Sequence, residues 1–192
     1  MDNLLDQIKS CQTCKAHLIH GVNPVVTAST NSKILIVGQA PGRVVHETSI
    51  PWNDRSGDTL RTWLDVDRDT FYNTDLFAIM PMGFCFPGSA KTGDLPPRKE
   101  CAPLWHQQLL DKMPNLKLTI LIGLYAQKYY LAKNSQKNLT ENVNHFEDYL
   151  PEYFPLPHPS GRNNIWLAKH SWFPQVVLPE LKKVVHAIIK PQ

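Results

Sequence analysis

The chain has 192 residues, 42% of them hydrophobic and 19% charged, which is enough apolar material for one compact core and short for two independent domains. A formal charge of +3 and a pI of about 8.6 permit attraction to phosphates without demanding it. The start Met1-Asp2-Asn3-Leu4-Leu5 lacks the basic and then apolar pattern of a secretory signal, and no run approaches the roughly 18 apolar residues of a membrane span, so a cytoplasmic protein with no membrane partner is expected.

Leu4-Leu5-Asp6-Gln7-Ile8 has helical periodicity and runs into Cys11-Gln12-Thr13-Cys14, after which prolines and small residues predict an irregular arm as far as Ser32. Lys33-Ile34-Leu35-Ile36-Val37, closed by Gly38, is the continuous apolar pattern of a strand buried on both faces. Ser56 to Leu64 fits a helix with Leu60, Trp63 and Leu64 inward, and Leu76 to Met80 fits a second buried strand. A long loop from Pro81 to Leu95 leads to a helix starting near Pro96-Pro97 and carrying Cys101, Leu104, Trp105, Leu109 and Leu110. Leu118 to Gly123 reads as a third strand with a helix from Tyr125 to Leu131 behind it, and Phe154-Pro155-Leu156 as a short fourth strand. A final amphipathic helix is expected from about Trp172 to Ile189. The alternation predicts an α/β fold: a three-layer α/β/α sandwich around a parallel sheet of about four strands, in one domain over 1–192, with ligands at the carboxyl ends of the strands.

Two loops follow strands and therefore fall on that edge. Gly38-Gln39-Ala40-Pro41-Gly42 lets backbone approach a ligand closely, as would any ordinary strand-to-helix turn. His158-Pro159-Ser160-Gly161-Arg162-Asn163 sets an imidazole beside rigid and small residues, with Ser160 able to cap a following helix, so that His158 could donate toward a developing anion. In a reducing compartment the four cysteines, Cys11, Cys14, Cys85 and Cys101, are expected as metal ligands or as plain buried thiols rather than disulfides.

Taken together the two loops resemble the signature motifs of the uracil-DNA glycosylase superfamily. Gly38-Gln39-Ala40-Pro41-Gly42 is similar to the Gly-Glu-Ala-Pro-Gly form of its iron–sulfur branch, and the His-Pro-Ser-Gly-Arg-Asn run is similar to the single-strand-selective branch. The resemblance implies hydrolysis of the N-glycosidic bond of uracil in DNA by a monofunctional enzyme, on a nucleotide flipped out of the duplex. It implies His158 as the donor that stabilises the leaving base anion, Gly38, Gln39, Ala40 and Trp52 as base-binding residues, and Pro159, Ser160, Gly161 and Arg162 as the loop that presses on DNA. The expected partner is DNA containing a damaged base, bound by a monomer. The spacing of all four cysteines matches the iron–sulfur branch, so the resemblance implies a 4Fe–4S cluster; thiolate chemistry alone would favour zinc.

The pattern also breaks. Many relatives orient water with Asp or Asn where this chain has Ala40; Glu47, preceded by His46, follows the motif at a distance where the iron–sulfur branch carries acidic residues, so the resemblance implies Glu47 for orienting water or stabilising the cationic sugar. The asparagine with which relatives read uracil is absent from Leu76 to Pro81. Two alternatives follow: a glycosylase for another deaminated base, hypoxanthine or xanthine, and a non-catalytic DNA-lesion-binding module.

Overall fold

The computed structural model describes residues 1–91 and 93–190. In chain order its elements are α1 (Asp2–Lys9), β1 (Ile34–Val37), α2 (Arg43–Thr48), α3 (Arg55–Leu64), α4 (Arg68–Tyr72), β2 (Phe77–Ile79), β3 (Ser89–Ala90), β4 (Gly93–Asp94), α5 (Cys101–Leu110), β5 (Leu118–Ile122), α6 (Leu124–Leu131), α7 (Leu139–Asn144), β6 (Tyr153–Leu156), α8 (Asn164–Lys169) and α9 (Leu178–Ile189). Four strands form one parallel sheet in the order β2-β1-β5-β6, with Ile36 opposite both Ile79 and Ile120, and Ile120 opposite Phe154.

Successive side chains of a strand point to opposite faces, and both faces of this sheet are covered. Ile34, Ile36, Phe77, Ile79, Ile120, Ile122, Phe154 and Leu156 pack with Leu60, Trp63 and Leu64 of α3, Phe71 of α4, Val143 of α7 and Leu181 and Val185 of α9. Leu35, Val37, Ala78, Met80 and Leu121 pack instead with Leu4 and Ile8 of α1, Ala102 and Leu109 of α5, and Ala126 and Leu131 of α6. The α/β/α sandwich expected from the sequence is the fold observed. No helix among the described residues is long and apolar enough to cross a membrane.

Three local features differ from expectation, each for a physical reason. The helix foreseen near Pro96-Pro97 begins at Cys101, because a residue that precedes proline is pushed out of the helical region and Leu95 and Pro96 both do so. Pro103 sits inside its first turn, where the missing amide has no intrahelical partner to lose. The final helix is not regular from Trp172: Phe173–Val177 form a wider π turn before α9, and Pro179 has no amide to give the carbonyl four residues back. The long loop after β2 contains a hairpin of two-residue strands, β3–β4, with Ser89 opposite Asp94 and Ala90 opposite Gly93. Two residues per strand, three of the four exposed and Gly93 half-buried, leave no hydrophobic alternation to read.

Candidate active site

The β1–α2 loop, the turn before α3, the β3–β4 hairpin, the β5–α6 junction and the loop after β6 all border one open cleft of about 900 Å³ at the carboxyl edge of the sheet. Its walls include Gly38, Gln39, Ala40, Trp52, His158, Ser160, Gly161 and Arg162. The two loops singled out in the sequence are thus brought to one site by the parallel order of β1, β5 and β6.

Trp52 is held by its neighbours in a backbone conformation that bulky residues rarely adopt, with φ of 55°. Its carbonyl accepts from the Arg61 guanidinium at 3.3 Å. Tyr72 Oη donates to the preceding carbonyl of Pro51 at 2.8 Å. Gly57 closes the turn from the other side: a Cβ there would lie 1.8 Å from the Trp52 carbonyl oxygen, so only glycine fits. Arg61 is itself buried and stacks its guanidinium on Phe71 and Tyr72, 5.3 and 5.8 Å from the ring centres, while pairing with Asp58. This sequence of contacts sends the indole over the cleft floor, where a Cβ on Gly38 would come within 3.1 Å of its edge.

The imidazole of His158 lies against that indole, with ring centres 5.5 Å apart and planes at 33°. Asn163 Nδ2 donates to the His158 carbonyl at 2.7 Å and so fixes the loop from within its own motif. A buried polar network braces the strand ends beneath. Gln127 Nε2 donates to the carbonyl of Leu156 at 3.0 Å, and its Oε1 accepts from Asn142 Nδ2 at 3.1 Å. Burial pushes the His158 imidazole below its ordinary pKa; the carboxylates of Asp54 and Asp94 pull it back, and the Arg162 guanidinium adds to the lowering. Near neutral pH the ring is therefore uncharged, able to donate one hydrogen bond without bringing a formal charge.

The other residues expected in the site divide. Gln39 borders the cleft, but its side-chain amide is taken up by the Leu95 carbonyl at 3.0 Å, tying the first loop to the segment after β4. Ser160 occupies the cap position of the 3-10 turn Gly161–Asn163, yet its hydroxyl makes no capping bond. Pro159 is buried beneath the loop. Arg162 reaches across to the hairpin, its Nη1 only 2.6 Å from where a Cβ on Gly93 would sit. Glu47 is exposed on α2 and is not part of the cleft wall. His46 faces away as well, with Nε2 3.1 Å from the His20 carbonyl and its ring 5.8 Å from that of Phe86.

Two carboxylates that the sequence reading did not assign do border the cleft, Asp54 and Asp94. Asp54 caps α3 by accepting from the Gly57 amide at 2.9 Å. Asp94 accepts from Ser89 Oγ at 3.0 Å, and its Oδ2 lies 3.6 Å from the position of a Cβ on Gly42, at the end of the first loop. Asp54 was legible as a cap from the Asp-x-x-Gly start of α3, whereas only the folded hairpin brings Asp94 to the site.

The family model described as Uracil DNA glycosylase superfamily matches residues 25–182, which takes in every element bordering the cleft. The chain belongs to the uracil-DNA glycosylase superfamily. The superfamily match begins after Cys11 and Cys14, so the N-terminal arm that carries them lies outside the matched span.

In this superfamily member that arm folds back, and all four cysteines border one apolar pocket with Ile8, Leu18, Phe84, Arg98 and Trp105. All four are free thiols. Among the described residues no group of three or more His, Cys, Asp or Glu side chains is drawn together as a site for a metal ion. Burial pushes the Cys85 thiol up to about 11 and that of Cys101 up to about 12. The Phe84 amide donates to Cys101 Sγ at 3.4 Å. Trp105 Nε1, also at this pocket, is a buried donor with no acceptor within bonding geometry.

Proposed function

We propose that this chain is a monofunctional uracil-DNA glycosylase, which hydrolyses the N-glycosidic bond of deoxyuridine in DNA. The observation that carries the reading is the pairing of Trp52 with an uncharged His158 over Gly38, at the mouth of a cleft in a superfamily member. Trp52 offers the flipped base an aromatic face. As the bond from C1′ to the base nitrogen breaks, the electron pair leaves with uracil and the sugar becomes cationic. His158 donates to the base oxygen on which that negative charge gathers, where a preorganised donor stabilises the transition state most. Water then bonds to C1′ and loses a proton, and the base anion takes one up from solvent.

Ala40 has no group with which to hold that water. The role expected of Glu47 passes instead to Asp54 and Asp94, whose carboxylates border the cleft and whose charge opposes the positive sugar. Arg162, poised on the Gly93 hairpin, is assigned to the DNA phosphates next to the lesion.

We further assign a 4Fe–4S cluster to Cys11, Cys14, Cys85 and Cys101. The fit rests on four thiols around one apolar pocket and on the orphaned Trp105 Nε1–H, a donor suited to thiolate or sulfide. A zinc held by the same four thiolates, with Zn–S bonds of about 2.3 Å, is the alternative that thiolate chemistry alone allows, and the spacing of the four cysteines favours the cluster. The cluster would supply folding free energy by tying the N-terminal arm to α5, and no step of the hydrolysis runs through it.

Base release from uracil-containing strands by the purified chain, read as breaks after alkali, tests the activity. Cleavage of hypoxanthine-containing strands alone would redirect the specificity, and binding with no release would leave a lesion-binding module.

A further inference from the structure

Beside the cleft runs a second groove of about 710 Å³ that the hydrolysis does not use. Its walls are Leu95, Pro97, Lys99, Tyr125, Lys128 and Tyr129, among others, and Tyr125 borders the cleft as well. The two are also joined through the Leu95 carbonyl that holds Gln39. Spacings of three and four place Tyr125, Lys128 and Tyr129 on one face of α6. Tyr125 is 40% and Tyr129 44% exposed, two rings one turn apart on the same face, and Tyr129 touches His106 and Tyr130 only edgewise.

The fixed charge lining the groove has one sign: Arg98, Lys99 and Lys128 border it and, among the described residues, no carboxylate does, with Glu100 standing just outside and within the field of Lys99. Arg98 is held by Glu100, but neither Lys99 nor Lys128 is in an ion pair with a described residue. Exposed aromatic faces interleaved with unpaired cations are what an unstacked nucleic-acid strand requires, because every base has a face to stack and every nucleotide a phosphate.

We propose that this groove carries the unpaired DNA strand on one side of the flipped nucleotide, with Tyr125 and Tyr129 stacking successive bases and Lys99 and Lys128 meeting phosphates. The proposal rests on the glycosylase reading for what fills the cleft. It adds that the enzyme engages single-stranded DNA beyond the lesion itself. Continuity through Tyr125 selects a strand over a peptide, since a nucleotide leaving the cleft passes that ring first.

The test is the affinity of the full chain for uracil-free oligothymidylate, one strand of about four nucleotides and one of about twelve, across a salt series. Tyr129→Ala should weaken binding of the longer strand about tenfold. Lys128→Ala should weaken it too and lower the slope against log salt by about 0.7. Neither should change binding of the short strand, which fills the cleft alone. Full affinity for the longer strand in both variants would overturn the proposal. So would an acidic, apolar peptide whose binding both substitutions abolish while strand binding persists. Uracil release measured alongside separates the two readings. A wild-type chain that frees no uracil, yet loses strand affinity with these substitutions, contradicts the glycosylase and keeps the groove; release with unaltered strand affinity does the reverse.

Discussion

The indole of Trp52 and the imidazole of His158 meet with ring centres 5.5 Å apart, one carried by a strained turn before α3 and the other by the loop after β6. Two glycines make that meeting possible, and they should fail differently. Gly38→Ala places a methyl 3.1 Å from a ring that can tilt, so the fold should survive while kcat/KM for base release falls about tenfold. Gly57→Ala drives a methyl into the Trp52 carbonyl, which cannot give, and should lower stability by on the order of 3 kcal/mol. Denaturant melts and rates on the two proteins check the contrast.

His158→Ala should lower the single-turnover rate by about 10²–10³ with the melting temperature little changed, as expected for one lost oxyanion-type donor. An undiminished rate would remove His158 from the mechanism.

Asp54→Asn and Asp94→Asn should each slow base release by roughly tenfold or more, and the double variant further. Asparagine also caps helices, so Asp54→Asn should keep α3 intact and leave stability within about 0.5 kcal/mol. Glu47→Gln, on the exposed side of α2, should change neither quantity.

His106 predicts an acid limit to stability. It is 1% exposed, faces Tyr130 Oη at 2.8 Å and the Pro81 carbonyl at 3.1 Å, and burial pushes its pKa down to about 4. The unfolded chain binds this proton below about pH 6.5 while the folded chain refuses it until about pH 4, so stability falls as pH drops through that window. The loss amounts to about 3 kcal/mol. Chemical melts at several pH values should show a shallower fall for His106→Gln.

Purified protein should carry iron and acid-labile sulfide in equal amounts, and Cys101→Ser should lower both together with the melting temperature. Zinc without sulfide would replace the cluster assignment with a zinc site.

The parts of this molecule legible in the sequence are those with a strong local signal. Ile34–Val37 and Leu118–Ile122 are largely apolar runs that read as central strands, and the carboxyl ends of β1 and β6 placed the two motif loops at one edge. What escaped depends on contacts far apart in the chain. Asp94 reaches the cleft on a hairpin of two-residue strands, and Val45 of α2 lines the cleft while Glu47, two residues on, is exposed outside it. The pairing of Tyr125 with the proline-rich segment before α5 likewise exists only once α5 and α6 lie side by side.

The central claim is that the Trp52–His158 cleft severs uracil from DNA, and the most direct measurement is base release from single- and double-stranded oligonucleotides with one uracil, beside uracil-free controls. The account predicts breaks only at uracil, lost with His158→Ala. A correctly folded chain that binds these strands and leaves every uracil in place would contradict it.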